Sequence, residues 1–271
     1  MPTSSTAPAQ AVYTSRIIKA TALLPETRTL LLNWDSDQDV DANLQRLKQE
    51  NVFAKASRVR IADMLAIFRQ RYLNDSDVRS ALVTLAQGGM PNEVLDRILY
   101  YLSLRNDALL HDAVTELLLP TYQRGYTDVN VQLVISLLRE QIADRRTESE
   151  WSEDTTLHVA QHILATLRDF GVLQGANRKQ INIPFLPVTA FAFIAMLRHR
   201  ELRSGDRLVD DPDWRVFFLP RLGVERLFLE AHQEHLLEYY AAGRIIRITF
   251  PVEHLEDYAR FIVARAHQVS A

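Results

Sequence analysis

Apolar residues recur every three or four positions along most of the chain, which is the period of helices that bury one face. One such set, which follows the good N-cap residue Ser57, is Ile61, Met64, Leu65, Phe68 and Tyr72. Prolines are absent from residues 26–90 and from residues 121–183, so helices can continue through both spans. The pattern predicts a mainly α protein.

Residues 155–184 have the most distinctive pattern in the chain. Residues 155–170 are predicted to form a helix whose apolar arc contains Leu157, Val159, Ala160, Ile163, Leu164, Leu167 and Phe170. Its polar face contains His158, Gln161, His162, Ala165, Arg168 and Asp169. Gly171 ends the helix, and two short alternating runs, 172–174 and 180–183, flank a Gly-Ala-Asn-Arg-Lys tip. A helix with a polar face followed by a hairpin with a basic tip is typical of a winged helix-turn-helix.

The segments before this helix depart from that motif in one respect. Thr127 and Asp128 are predicted to cap a helix that runs to Ile142, and the charged segment 143–153 is predicted to be a loop. Such a loop is much longer than the usual turn of about 3–4 residues. Ser152 or Asp154 is expected to cap the helix that follows.

The remaining elements complete the predicted architecture. Residues 107–119 should form a helix ended by Pro120, and residues 224–240 a further helix before Gly243. Residues 244–250 alternate in the period of a strand, which could pair with the run at 180–183. We therefore predict a disordered arm (1–11), an N-terminal helical bundle (12–122), and a C-terminal winged-helix-like helical domain with a small β-hairpin or sheet (123–271).

Composition excludes several kinds of chemistry. The chain has no cysteine, which removes disulfides, thiolate zinc sites and cysteine nucleophiles, and only 8 glycines. Neither a phosphate-binding P-loop motif nor a Gly-x-Ser-x-Gly motif is present. We predict that the protein is not an enzyme, with no cofactor, no bound metal and no small-molecule substrate.

Two histidine pairs keep a metal-dependent enzyme open as an alternative. His158 and His162 are four residues apart on one predicted helix, which is the spacing of two zinc ligands. His232 and His235 form the second pair. Neither pair has the glutamate pattern of a zinc hydrolase, so exposed histidines on helix faces are the simpler interpretation.

Basic and polar side chains in three regions are candidates for contacts with double-stranded DNA. Gln161 suits an adenine edge, and Arg168 a guanine or a phosphate. Arg178 and Lys179 at the hairpin tip suit backbone phosphates or a minor groove. The full candidate set is Arg16, Lys19, Lys55, Arg58, Arg60, His158, Gln161, His162, Arg168, Arg178 and Lys179. The alternative is structural: arginines that flank a core helix, and a helix face that is merely solvated.

Charge and hydropathy limit where such a surface lies. The net charge is −3, so a nucleic-acid surface has to be a local patch. The first ten residues lack the features of a secretory signal, and the apolar run at 188–197 is far shorter than the ~20 residues that span a bilayer. We expect a cytoplasmic protein with no membrane contact.

Three segments resemble one known family. They are residues 13–19 (Tyr-Thr-Ser-Arg-Ile-Ile-Lys), residues 23–28 (Leu-Leu-Pro-Glu-Thr-Arg) and residues 57–61 (Ser-Arg-Val-Arg-Ile). In these segments, and in length and order over residues 12–268, the chain is similar to BrxA, an accessory protein of BREX bacteriophage-exclusion systems.

The resemblance implies a non-enzymatic, mostly helical bacterial protein that binds double-stranded DNA. It also implies partners among the other BREX subunits, including the methyltransferase, and a likeness to the NusB-type helical RNA-binding fold. No family residue signature is carried over, so the candidate site rests on the residues themselves. A rival hypothesis is an interaction scaffold that docks other defence subunits without contacting DNA.

Overall fold

The computed structural model describes residues 12–19, 21–54, 57–176, 178–183, 185–243 and 245–269. Its α-helices are α1 (Leu24–Leu32), α2 (Val40–Gln49), α3 (Arg58–Phe68), α4 (Ser76–Gln87), α5 (Asn92–Arg105), α6 (Ala108–Asp112), α7 (Leu119–Gln123), α8 (Val131–Ala143), α9 (Glu153–Asp169), α10 (Val188–Leu202), α11 (Gly205–Val209), α12 (Arg221–Gln233) and α13 (Leu255–Val269). Two 3-10 helices (Ser15–Lys19 and Pro212–Phe217) and two π-helical segments (Arg69–Leu73 and Ala113–Leu118) complete the helical structure. The prediction of a mainly α fold is confirmed.

The strands form two small antiparallel sheets. Strands β1 (Asp128–Val129), β2 (Leu173–Gln174) and β3 (Lys179–Ile181) form one sheet in the order β1-β3-β2. Strands β4 (Glu238–Ala242) and β5 (Ile245–Thr249) form a separate hairpin. The predicted pairing of the strand at 244–250 with the run at 180–183 is therefore wrong.

Helices from both ends of the sequence share one continuous core, which includes Tyr13 at one end of the described chain and Ile262 at the other. Helix α13 packs along α4, and α10 packs against α5 and α12. Tyr100 on α5 contacts the rings of Phe170 and Phe217 at centroid distances of 5.4 Å, and its hydroxyl donates to the Val216 carbonyl at 2.7 Å. This aromatic contact joins α5 to the end of α9. The boundary predicted between residues 122 and 123 stays a prediction, and the predicted arm at 1–11 lies outside the described residues.

The end of one predicted helix and the cap of another need correction. Helix α12 ends at Gln233 instead of continuing to residue 240, because His235 adopts a left-handed conformation (φ 54°) and the chain then enters β4. Asn130, not Thr127 or Asp128, caps α8: its side chain accepts from the Leu133 N–H at 3.1 Å.

Pro120 does not end the helix that precedes it. The chain passes from a π-helical segment into α7 with the proline in the first turn of α7, where a missing N–H costs little.

Candidate nucleic-acid interface

The unit that carries the candidate site consists of β1, α8, α9, β2 and β3. Strand β3 pairs with β1 on one side (Asp128 opposite Gln180) and with β2 on the other (Gln174 opposite Gln180). Along the sequence, helices α8 and α9 lie between β1 and β2, and the two helices pack against each other. The predicted hairpin after α9 is confirmed.

Local chemistry fixes both ends of α9 and the hairpin tip. Ser152 caps the helix by accepting from the Thr155 N–H at 3.1 Å. Gly171, at φ +76°, provides the left-handed residue after the helix. At Gly175 (φ +92°) an added Cβ would lie 2.1 Å from the Arg178 carbonyl oxygen, so the tip requires glycine.

Helix α9 buries the face that its periodicity predicts. Val159, Ala160, Ile163, Leu164 and Leu167 are buried, whereas His158, Gln161 and Arg168 are exposed. Thr156 and Thr166 are also buried, which a polarity pattern alone does not predict. His158 and Arg168, ten positions apart, are separated by about 15 Å along the helix axis.

The long linker between α8 and α9, residues 144–152, is held by the N-terminal segment. The Tyr13 N–H donates to the Arg146 carbonyl at 2.7 Å, and the Glu148 N–H donates to the Tyr13 carbonyl at 2.9 Å. Ser15 adds two hydrogen bonds to the Glu148 carboxylate, from its N–H at 3.0 Å and from its hydroxyl at 3.1 Å. We call this pairing of residues 13–15 with residues 146–148 the clasp.

Buried polar contacts lie beneath the clasp. The Tyr13 side chain is buried, and its hydroxyl donates to the Asp112 carboxylate. Arg146 donates to the same carboxylate at 3.0 Å and stacks on the Tyr13 ring, 4.6 Å from its centroid. Burial, and then the bond to Asp112, raises the pKa of Tyr13, so the phenol stays protonated as the donor.

The clasp leads directly into the 3-10 helix Ser15–Lys19, which packs against both α9 and α3. On that helix, Lys19 lies 3.6 Å from Asp63 of α3. Arg60 of α3 lies close to His162 of α9: burial, and then the charges of His158 and Arg60, lower the pKa of His162. One predicted basic region, near the N-terminus, thus packs against α9, and the charge of another, on α3, acts on His162 of α9.

The candidate cations differ in how far their charges are already compensated. Arg16, Arg58 and Arg60 are exposed and form no ion pair with any residue in the described ranges. We call these three arginines, together with Lys19, which pairs with Asp63 at 3.6 Å, the basic cluster.

The cations at the far end of α9 and at the hairpin tip are each held by the protein. Arg168 pairs with Asp169 at 3.0 Å, Arg178 pairs with Asp128 at 3.3 Å, and the Lys179 ammonium donates to the Ala176 carbonyl at 2.8 Å. Lys55, another predicted contact, lies outside the described residues.

Acidic residues shape the first turn of α9. Glu153 pairs with Arg139 at 2.7 Å, and Asp154 lies 3.3 Å from the His158 imidazole. These carboxylates suit the positive end of the helix dipole but oppose the approach of a phosphate at that turn. The exposed face of α9 is therefore mixed in charge, and the uncompensated positive charge lies beside it.

The histidine pairs do not assemble with further ligands within the described part of the chain. No group of three or more histidine, aspartate or glutamate side chains there is arranged to hold a metal ion. His232 and His235 instead line a cleft of about 610 Å³ between the end of α12, the β4–β5 hairpin and α13.

Comparisons with known proteins bear on the chain as a whole. No helix among the described residues has the length and apolar character needed to cross a membrane. Comparison with curated proteins finds no match. The family model described as BrxA matches residues 11–198, a span that contains the clasp, the basic cluster and the unit from β1 to β3. The chain therefore belongs to the BrxA family and is a BREX-associated protein.

Proposed function

We propose that this protein is a non-enzymatic accessory component of a BREX system that binds double-stranded DNA, mainly through the phosphate backbone. The observation that carries the proposal is the basic cluster beside α9. Guanidinium groups bind phosphate oxygens in bidentate geometry. Exposed arginines without carboxylate partners keep those donors available, and their binding to DNA releases condensed counterions.

The order of elements supports the same proposal. Winged helix-turn-helix domains follow the order strand, helix, helix, strand, wing, strand, and the middle strand of their sheet is the last in sequence. Residues 128–181 have this order, with β3 between β1 and β2. In that arrangement α9 is the recognition helix, which lies in the major groove of DNA, and Arg178 and Lys179 are the cations of the wing.

The mixed charge of α9 argues for weak sequence preference. His158 and Gln161 are exposed donors and acceptors that suit base edges, but Glu153 and Asp154 lie on the turn before them. Phosphate contacts position a protein on DNA without reading its sequence. We therefore expect affinity to come from the basic cluster and only a modest preference from α9.

A salt titration tests the proposal. Binding of the full chain to a fluorescent duplex should weaken steeply with salt, with a log–log slope of about −3.6 for four phosphate contacts. The double variant Arg58→Gln/Arg60→Gln should reduce that slope by about 1.8. Arg226→Gln/Arg260→Gln is the matched control, because it removes the same charge from α12 and α13, where both arginines are paired within their helices.

Two results would contradict the proposal. One is the absence of duplex binding at low salt. The other is an equal loss of affinity in the Arg58/Arg60 variant and in the control, which would assign binding to overall charge. Competition by RNA and by single-stranded DNA of the same length measures the preference for duplex DNA.

A docking scaffold for other BREX components is the second candidate, and exposed apolar residues favour it. Tyr126, just before β1, and Ile183 and Phe185, just after β3, are all exposed. Substituting Tyr126 and Phe185 with serine should then abolish co-purification with BREX components, whereas Arg178→Glu/Lys179→Glu should leave it intact.

A further inference from the structure

We infer that the N-terminal segment forms part of the DNA-binding surface, and that the clasp holds this segment in position beside α9. The inference rests on the proposed DNA binding. It assigns Tyr13 as a positioning residue: it is buried and does not face DNA, yet it sets where Arg16 and Lys19 lie relative to α9.

The first step of the argument concerns the linker. The nine-residue linker is longer than the turn of about 3–4 residues in a helix-turn-helix and than most helix–helix connections, so contacts with other parts of the chain are expected to fix its geometry. Here the linker gains backbone partners, because Tyr13 and residues 146–148 exchange hydrogen bonds on both sides of Tyr13. The N-terminal segment therefore helps to fix the start of α9, together with the Ser152 cap and the buried Trp151 of the linker.

The second step concerns the anchor. Tyr13 uses its backbone for the linker and its side chain for Asp112 and Arg146 at the same time. Arg146 is itself a linker residue, and it also donates to Gln141 at the end of α8 at 2.7 Å. One buried tyrosine thus connects the N-terminal segment, α6, the end of α8 and the linker.

The third step concerns charge. Arg16 and Lys19 follow Tyr13 by three and six residues, on the 3-10 helix that packs against α9 and α3. If the clasp opens, the 3-10 helix keeps only the buried Ile17 and the Lys19–Asp63 ion pair as anchors within the described ranges, so we expect both cations to lose their fixed positions although the charge of the protein is unchanged. A neutral substitution at Tyr13 should therefore change the number of phosphate contacts, which a purely local stabilising role would not do.

The test combines salt dependence with a direct measurement of the clasp. Tyr13→Ala should reduce the slope of log affinity against log salt by about 1.8, the amount expected for two lost phosphate contacts. Arg16→Gln/Lys19→Gln should give the same reduction, and adding Tyr13→Ala to that variant should reduce the slope no further. Tyr13→Phe keeps the ring under Arg146 and removes only the bond to Asp112, so it should reduce the slope less than Tyr13→Ala does. Val12→Ala, at the exposed neighbouring residue, is the control.

The state of the clasp is measured independently of DNA. The chain has no cysteine, so Val12→Cys/Ser149→Cys carries two spin labels at exposed positions on the two sides of the clasp. The label distance should be short and narrowly distributed, and should broaden when Tyr13→Ala is added. Ser15→Ala removes the exposed hydroxyl contact to Glu148 without changing the core or the net charge, and should broaden the label distance to a smaller extent, with a proportionate loss of slope.

The outcomes separate this inference from the proposed function. If the wild-type chain binds no duplex DNA, the proposed function fails and the inference fails with it. If the wild type binds, and Tyr13→Ala broadens the label distance while the salt slope stays unchanged, the inference alone is overturned. A label distance that Tyr13→Ala leaves narrow also overturns it, because the clasp then does not depend on Tyr13.

Discussion

The carboxylate of Asp211 lies against the guanidinium of Arg198, with Nε–Oδ2 and Nη2–Oδ1 distances of 2.5 and 3.3 Å, and only 1% of the Asp211 side chain is exposed. Asp211 also accepts from the Asp213 N–H at 3.1 Å, so it caps the 3-10 helix Pro212–Phe217. Burial alone lowers the pKa of Arg198, but its hydrogen bonds to Asp211 and the charges of Tyr101, Asp213 and Asp211 together outweigh burial and raise the pKa. The pair fixes α10 to the segment that carries Trp214 into the core.

Removing one partner of this pair should be costly. Asp211→Ala leaves a buried guanidinium without its main partner, and we expect the free energy of unfolding to fall by about 3–5 kcal/mol. Asp210→Ala is the matched control: Asp210 pairs with Arg221 at the surface, and its loss should cost no more than about 1 kcal/mol. Urea denaturation of both variants measures the difference, and equal costs would contradict the assigned role of Asp211.

The contact between α4 and α13 depends on the absence of a side chain at Gly88. An added Cβ would lie 2.7 Å from both methyl carbons of Val263 and 2.8 Å from the Thr84 carbonyl oxygen. Gly88→Ala should therefore destabilise the fold by about 1–3 kcal/mol through overpacking. Val263→Ala should cost less in the Gly88→Ala background than in the wild type, and a double-mutant cycle by urea denaturation without such coupling would argue against the clash.

Asp128 is expected to restrain DNA binding, since it occupies Arg178 at the hairpin tip. Asp128→Asn keeps an acceptor for the Gln180 amide, which donates to Asp128 at 3.2 Å, but releases the arginine. We expect duplex affinity to rise about twofold to fivefold, in line with the ~0.5–1 kcal/mol of an exposed ion pair. Asp257→Asn on α13 makes the same change in net charge and should leave affinity unchanged in a parallel titration.

His162 should make stability depend on pH. Its pKa is lowered by burial and then by the charges of His158 and Arg60, so the folded state binds fewer protons than the unfolded state. At a pH above the ordinary pKa of 6.5, His162 is neutral in both states and does not lower the free energy of unfolding. As the pH falls from 6.5 toward the lowered pKa of the folded state, the unfolded state takes up the proton first, so the free energy of unfolding decreases. Wild-type Tm should thus decrease more than that of His162→Gln from about pH 7.5 to about pH 5.5. Parallel decreases in both proteins would show that another group controls the acid response.

Local periodicity predicted the elements that bury one face, and it was less reliable where neighbouring residues suit two conformations. Helix α9 was predictable because its apolar residues keep the helical period from Val159 to Leu167. Around Leu236 and Tyr239 the apolar residues fit a helix or a strand equally well. The left-handed backbone at His235 ends the helix and leads the chain into the strand, and no local sequence pattern predicts this conformation.

The parts of the candidate site that escaped prediction depend on residues far apart in sequence. Strand β1 has two residues and exists because β3, some fifty residues later, pairs with it. The contact between Tyr13 and Arg146 likewise has no local signature in the sequence. The basic residues themselves were identifiable, but the compensation of Arg178 was not, since its partner Asp128 lies fifty positions away and approaches it only in the fold.

The clasp also sets an order of events during synthesis. Tyr13 leaves the ribosome well before Thr147, and at elongation rates of about 5–20 residues per second the delay is roughly 7 to 27 s. During that interval the N-terminal residues have no linker to pair with, although the helices from α1 to α7 are already complete in sequence. Closing so large a loop is slow compared with forming helices. The surface built from residues 13–19 and α9 can therefore form only after the helices α1 to α7 have been synthesised, and the contact of α13 with α4 follows later still.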